Sequence, residues 1–185
     1  PETEQLVEIA LELAKEHAGA RILDIGTGSG VIALTVALAL PDAKVHATDL
    51  SPVALALATD NAARHQLSDR VHFTRTDLLP EDDTPFDLIV ANLPYIPTAE
   101  IITLSPEVRH DPASALDGGT DGLDLIRRLI DAAPARLSPG GALLLEIGAG
   151  HASAVDILLR ACKFRDISVR PDYENVPRFA VGFHG

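Results

Sequence analysis

The chain has 185 residues, of which 46% are apolar, so it is long enough for one globular domain with a buried core. Its formal net charge of −12 argues against a nucleic-acid surface, which needs a basic stripe to neutralise phosphates. A single cysteine, Cys162, excludes an internal disulfide and fits a reduced, cytoplasmic setting, and the apolar run over 31–40 is too short to span a membrane.

Strand and helix signals alternate along the chain, which predicts an α/β fold with a doubly wound, mostly parallel sheet. The first half contains predicted helices over 3–17, 31–40 and 52–66 and predicted strands over 21–25, 44–48, 71–75 and 86–90. Ser51 before Pro52 predicts an N-cap followed by proline at the first helical position.

The second half begins with an irregular stretch that reaches about residue 119. It continues with a predicted helix over 123–137, a turn over 138–141, a strand over 142–147, a helix over 152–162 and strands over 164–170 and 178–183. Because the last two strands are too close in sequence for a crossover helix, we expect them to form an antiparallel pair.

Acidic residues follow the first three predicted strands. Asp24 precedes a glycine loop over 26–30, Asp49 ends the second strand, and Asp77 ends the third. Ligands of open parallel sheets bind beyond the carboxyl ends of the strands, so we expect one shared pocket. There Asp49 is suited to accept from two ribose hydroxyls and Asp77 from the exocyclic amine of an adenine. Taken singly, the glycine loop also fits an ordinary turn, Asp49 a helix cap and Asp77 a loop carboxylate. Together they predict a pocket for an adenosine-bearing ligand.

The glycine spacing favours S-adenosyl-L-methionine over a dinucleotide. A dinucleotide site has the pattern G-x-G-x-x-G, with a helix N-terminus facing a pyrophosphate. This chain has G-x-G-x-G after Asp24, and a carboxylate suits the ammonium of a methionyl group better than a pyrophosphate. The predicted cofactor-binding residues are Asp24, Gly26, Thr27, Gly28, Gly30, Asp49, Leu50, Asp77, Leu78 and Asn92.

The segment Asn92-Leu93-Pro94-Tyr95 follows the fourth strand and contains the predicted catalytic residues Asn92, Pro94 and Tyr95. A nitrogen with a delocalised lone pair must be aimed in line at a methyl carbon to react. The Asn92 side-chain oxygen and the Leu93 carbonyl are suited to accept both hydrogens of an NH2 group. Pro94 keeps Leu93 extended, and Tyr95 offers a ring face to a planar group. This pattern predicts N-methylation, whereas an ordinary turn after a strand is the structural alternative.

These motifs resemble those of the protein-(glutamine-N5) methyltransferases of peptide chain release factors, the HemK family. The shared segments are Pro1 to Glu4, Asp24 to Gly30, Asp111-Pro112 with Ala115 to Leu123, Glu146-Ile147-Gly148 and Pro177-Arg178. The resemblance implies a Rossmann-like class I methyltransferase fold, S-adenosyl-L-methionine as cofactor and a glutamine acceptor. The family also has a small N-terminal helical domain that helps hold the release factor. We expect residues 1–185 to be the methyltransferase domain without it.

Three positions depart from the family pattern. Leu93 replaces the first proline of N-P-P-Y, and N-L-P-Y is also typical of rRNA adenine dimethyltransferases, whose acceptor amine is planar too. Asp111 stands where the family has Glu, and His151 lies near a position where the family often has Gln. Both departures bear on contacts with the substrate. N6-adenine methylation of RNA or DNA therefore stays open as an alternative, as does an inactive cofactor-binding fragment.

The longer resemblance over 111–123 and the acidic composition favour a protein glutamine as the acceptor. We therefore expect a cytoplasmic, monomeric N-methyltransferase domain whose partner is a peptide chain release factor, with no nucleic-acid or membrane partner. The seven histidines show no metal-ligand spacing, so no metal site is predicted.

Overall fold

The computed structural model describes residues 2–103 and 115–185 and shows one seven-stranded sheet. The strands are β1 (Arg21–Ile25), β2 (Lys44–Asp49), β3 (Val71–Arg75), β4 (Phe86–Ala91), β5 (Leu137–Glu146), β6 (Arg165–Pro171) and β7 (Pro177–Phe183). The helices are α1 (Glu2–Ala14), α2 (Val31–Ala39), α3 (Pro52–Arg64), α4 (Asp124–Ala132) and α5 (Ala152–Ala161), with 3-10 turns at Thr98–Thr103 and Ala133–Arg136.

The strand order is β3-β2-β1-β4-β5-β7-β6. The first five strands of this order pair in parallel, and β7 pairs antiparallel with both β5 and β6. The doubly wound sheet and its antiparallel C-terminal pair are thereby confirmed. Since the chain moves outward from β1 to β3 and then returns to β4, the order reverses between β1 and β4, where such sheets bind ligands.

Alternate residues of the central strands contribute to two apolar cores, one on each face of the sheet. Ile22 and Val90 pack with α1 and α2, whereas Leu23 and Ile89 pack with α4 and α5. Strands buried on both faces read as continuous apolar runs, which is why β1, β4 and β5 were recognisable in the sequence.

Several predicted boundaries were wrong. The fourth helix ends at Ala132 instead of Leu137, since Pro134 has no N–H to continue the helical ladder. β5 already begins at Leu137, so the predicted turn over 138–141 belongs to an irregular part of the strand. The first helix ends at Ala14, where His17 N donates to the Ala14 carbonyl in a tighter turn.

The start of α3 is as predicted, because the Ser51 hydroxyl accepts from Ala54 N at 3.2 Å and Pro52 opens the helix. Within the described ranges, no helix is long and apolar enough to cross a membrane.

Candidate active site

The glycine loop after β1 is fixed by contacts on both sides. Its first two residues donate their backbone N–H groups to the Thr48 carbonyl at 2.9 Å. A Cβ on Gly26 would lie 3.1 Å from the Leu93 side chain, and one on Gly30 would lie 3.1 Å from Ala58 Cβ. A Cβ on Gly28 would meet no atom within 4 Å. The loop is thus held between the end of β4 and helix α3, with its middle open to a ligand.

Asp24 lies beneath this loop and is fully buried. Its Oδ2 accepts from the Thr27 hydroxyl at 2.6 Å and from Ala33 N at 3.1 Å. Burial is the main reason why the pKa of Asp24 rises from 3.8 to about 6. Its Oδ1 has no hydrogen-bond partner among the described residues. Asp24 therefore joins the loop to the start of α2 and keeps one carboxylate oxygen unpaired within the described residues.

Asp49 connects the glycine loop to the next helix. Its Oδ2 accepts from Gly28 N at 2.9 Å and its Oδ1 accepts from Ser51 N at 2.8 Å. A carboxylate oxygen has more than one acceptor site, so these bonds leave room for hydroxyl donors. The next side chain, Leu50, is exposed. The structure thus brings Asp49 to the open centre of the loop.

Asp77 and Leu78 follow β3 and differ in their surroundings. The exposed Asp77 carboxylate forms an ion pair with Arg128 of α4 at 2.7 Å. Leu78 has a left-handed backbone with φ of 68°, and its carbonyl accepts from the buried Thr48 hydroxyl at 2.8 Å. Leu78 is thereby tied to β2, whereas Asp77 is tied to α4 by an arginine that sequence reasoning did not single out.

The segment Asn92-Leu93-Pro94-Tyr95 lines a cavity of about 280 Å³ beyond the end of β4. The other lining residues are Ile96, Ala115, Leu116 and Glu146. Leu93 is buried, and its side chain is the one that approaches Gly26. The predicted catalytic segment and the predicted cofactor loop are therefore in direct contact.

Three glycines surround Tyr95. A Cβ on Gly118 would lie 2.8 Å from Tyr95 Cα, one on Gly122 would collide with the Tyr95 carbonyl oxygen, and one on Gly148 would lie 3.0 Å from the ring. The next residue, Ile96, adds two backbone hydrogen bonds. Its N–H donates to the Leu116 carbonyl at 3.0 Å, and its carbonyl accepts from Gly118 N at 2.9 Å. The glycine-rich segment over 115–123 thus forms the wall that holds Tyr95.

Glu146, at the end of β5, lines the cavity, although the sequence indicates it only as part of a motif. It is 4% exposed, its Oε1 accepts from the Tyr95 hydroxyl at 3.4 Å, and its Oε2 has no partner within the described ranges. Burial raises the pKa of Glu146 above its usual range, and the nearby Arg178 guanidinium opposes that rise. The available signal was a charged residue that closes the apolar run of β5.

His151 precedes α5 and lies next to the Tyr95 wall. Its Cε1 atom would be 2.9 Å from a Cβ on either Gly122 or Gly148, and its Nδ1 is buried without a partner among the described residues. His151 therefore borders the cavity that contains Tyr95. Asp111, Pro112 and Pro1 lie outside the described residues.

Comparison with known proteins extends these observations. Residues 4–105 match the family described as the Methyltransferase small domain. Over 99% of its length the chain is 46% identical to the release factor glutamine methyltransferase of Gloeobacter violaceus, and over 97% it is 49% identical to that of Deinococcus radiodurans. It spans 65% and 63% of the length of those two proteins.

A solved structure is similar to this chain in both fold and sequence. The release factor-specific protein-(glutamine-N5) methyltransferase of Alicyclobacillus acidocaldarius has a TM-score of 0.61 and 30% identity, over 100% of this chain and 92% of that one. The doubly wound sheet and the match over 4–105 define the class, that of the methyltransferases. Within that class, the chain belongs to the family of the release factor glutamine methyltransferases. This membership indicates S-adenosyl-L-methionine as the cofactor, as predicted from the glycine loop.

Proposed function

We propose that this protein transfers a methyl group from S-adenosyl-L-methionine to the side-chain amide nitrogen of a glutamine in a peptide chain release factor. The observation that carries the proposal is the cavity at the end of β4. It is lined by the Asn92-Leu93-Pro94-Tyr95 segment and is in contact with the glycine loop through Leu93 and Gly26.

The residues around the glycine loop fit the proposed cofactor. Gly28 faces open space, the Asp49 carboxylate reaches the same part of the loop, and Asp24 keeps one buried oxygen without a partner among the described residues. In the proposal Asp49 holds the ribose hydroxyls, Asp24 Oδ1 meets the ammonium group, and Leu50, Asp77 and Leu78 surround the adenine. When bound, S-adenosyl-L-methionine supplies an electrophilic methyl carbon.

The predicted catalytic segment supplies acceptors for a planar NH2 group. Asn92 directly follows β4, and the backbone carbonyl of Leu93 precedes Pro94, which favours an extended conformation there. Two acceptors on the two N–H bonds orient the nitrogen and raise its electron density, which an amide needs because its lone pair is delocalised. Tyr95, held by its glycine wall, provides the face against which the amide plane packs.

The identity of the acceptor is supported by the relatives. Both the Gloeobacter and the Deinococcus protein are named release factor glutamine methyltransferases, and both align with almost all of this chain. The segment over 115–123 that resembles the family is also the segment that builds the Tyr95 wall. The resemblance therefore includes the part of the molecule that shapes the acceptor cavity.

The test is to incubate the protein with isotopically labelled S-adenosyl-L-methionine and a purified bacterial release factor at high concentration. Mass spectrometry of the peptides should locate one added methyl group on a glutamine. A release factor in which that glutamine is replaced by alanine should remain unlabelled. Label on other residue types, or on both release factors equally, would refute the proposed acceptor.

A further inference from the structure

Glu146 belongs to the same cavity as the acceptor segment, yet it has no role in the function proposed so far. In the parallel register, Ala91 of β4 pairs with Leu145 of β5, so the next residues along the two strands are Asn92 and Glu146. The two side chains therefore leave neighbouring strand ends and line one cavity. The pairing register of β4 and β5, and not a loop conformation, determines this placement.

A hydrogen bond connects Glu146 to the Tyr95 side chain, and the strand register places Asn92 beside it. Oε1 accepts from the Tyr95 hydroxyl at 3.4 Å, and the Asn92 side chain lines the same cavity as the carboxyl group. Oε2 is buried and has no hydrogen-bond partner among the described residues. A buried carboxylate oxygen without a donor is costly, so the neighbouring NH2 group of Asn92 is the donor that the site offers.

We propose that Glu146 is a positioning residue: its carboxylate accepts from the Asn92 NH2 group and so keeps the Asn92 oxygen directed into the cavity. The inference rests on the proposed function, in which that oxygen accepts from the acceptor nitrogen. An asparagine amide presents a donor on one side and an acceptor on the other. An ionised carboxylate only accepts, so it selects the orientation that methylation requires. A neutral side chain at position 146 that can donate a hydrogen bond would also stabilise the flipped Asn92 amide. In that orientation the Asn92 NH2 group would face the NH2 group of the substrate, and neither could accept a hydrogen bond from the other.

The charges around Glu146 determine when it is ionised. Burial raises its pKa, Arg178 of β7 lowers it, Glu2 of α1 raises it, and the polar groups of Tyr95 and Asn92 that face it lower it. The net effect is a pKa above the usual range of a glutamate. As the pH falls through that raised pKa, the selection of the Asn92 orientation is lost, so the methylation rate should decline on the acid side.

Two variants separate this role from simple packing. Glu146→Gln keeps the shape but can donate a hydrogen bond, and Glu146→Asp keeps the charge on a shorter side chain. We expect Glu146→Gln to lower kcat at least about tenfold, with KM and cofactor Kd within about twofold of the wild type. Glu146→Asp should recover part of kcat, and the acid limb should be absent from the pH profile of Glu146→Gln. Glu12→Gln is the matched control, since it removes an exposed carboxylate paired with Arg170.

A spectroscopic measurement tests the contact without relying on activity. The side-chain NH2 signals of Asn92, assigned with Asn92→Asp, should move with pH in the wild type and in Glu12→Gln but stay fixed in Glu146→Gln. Wild-type signals that do not respond to pH would overturn the inference, as would unchanged kcat in Glu146→Gln. If the signals respond while the wild type methylates no glutamine, the contact stands and the proposed function alone fails.

Discussion

In the proposed function Asn92 orients the acceptor nitrogen, so its removal should affect the rate of transfer more than the binding of the cofactor. Asn92→Ala should lower the methylation rate at least about a hundredfold and leave cofactor affinity nearly unchanged, as expected for a lost orienting group. Single-turnover rates and calorimetry on the same preparation measure both quantities. Equal loss of rate and cofactor affinity would instead make Asn92 a structural or cofactor residue.

Asp49 is the carboxylate that joins the glycine loop to the start of α3. Asp49→Ala should weaken S-adenosyl-L-methionine binding by about 1–3 kcal/mol, because in the proposed site two ribose hydroxyls lose their acceptor. Calorimetry at one temperature and salt concentration measures the change. Asp60→Ala, at an exposed position of the same helix, is the control and should bind like the wild type. Full affinity in Asp49→Ala would exclude the carboxylate from the cofactor site.

Asp24 should make stability depend on pH in an identifiable direction. Its folded-state pKa is raised from 3.8 to about 6, so the folded state binds the proton more tightly than the unfolded state in that window. The carboxyl group therefore destabilises the fold progressively as the pH rises from about 4 to 6. Asp24→Asn does not ionise, so its free energy of unfolding relative to the wild type should rise by about 2–3 kcal/mol between pH 4 and 7. Urea unfolding at both pH values measures this difference, and a value independent of pH would contradict the buried, ionisable Asp24.

At the scale of elements, the wall around Tyr95 depends on close backbone approach. Gly122 and Gly140 both have a positive φ, 76° and 78°, but only a Cβ on Gly122 would collide with another residue, at the Tyr95 carbonyl. Gly140→Ala should cost about 1 kcal/mol of stability, the usual strain of a left-handed alanine, and leave methylation intact. Gly122→Ala should destabilise the protein further and strongly reduce methylation.

This pair of variants separates the effect of close packing from that of backbone conformation. The strain of an alanine at positive φ is common to both, whereas the collision with Tyr95 occurs only at Gly122. Thermal unfolding and the methylation rate should be measured side by side. Equal effects of the two substitutions would show that the approach of Gly122 to Tyr95 does not shape the site.

The elements that could be predicted from the sequence are those whose signals are local. The strands β1, β3 and β4 begin at the predicted residues, and Ser51-Pro52 opens α3 as its capping chemistry requires. The end of α4 was misjudged because the apolar periodicity continues past Pro134, where the hydrogen bonds change to a 3-10 turn and the chain enters β5.

The contacts that could not be predicted are long-range ones between residues on different elements. The ion pair between Asp77 and Arg128 joins positions 51 apart, and Tyr95 and Glu146 are likewise 51 apart. The sequence around each of these residues does not indicate its contact partner, because the partner is determined by the order of the strands. The position of Asn92 at a strand end was readable, whereas the buried carboxylate beside it required the register of β4 and β5.

For the molecule as a whole, the reversal of strand order places the candidate cofactor loop and the acceptor segment side by side. β1 and β4 are neighbours, with Ile25 paired to Ala91, so the loop from residue 26 and the segment from residue 92 leave the sheet at the same edge. A methyl donor and a planar acceptor could therefore meet across this edge. The general arrangement follows from the fold, and in the proposed function the Tyr95 wall and the residues around it select the acceptor.

The central claim is that this site acts on a protein glutamine and not on an adenine. The most direct measurement is a competition in one reaction that contains labelled S-adenosyl-L-methionine, a bacterial release factor and structured RNA at equal concentrations. Mass spectrometry of both products should find the methyl group on a release-factor glutamine, with the RNA unlabelled and Asn92→Ala inactive toward both. Methylated adenines beside an unmodified release factor would contradict the claim.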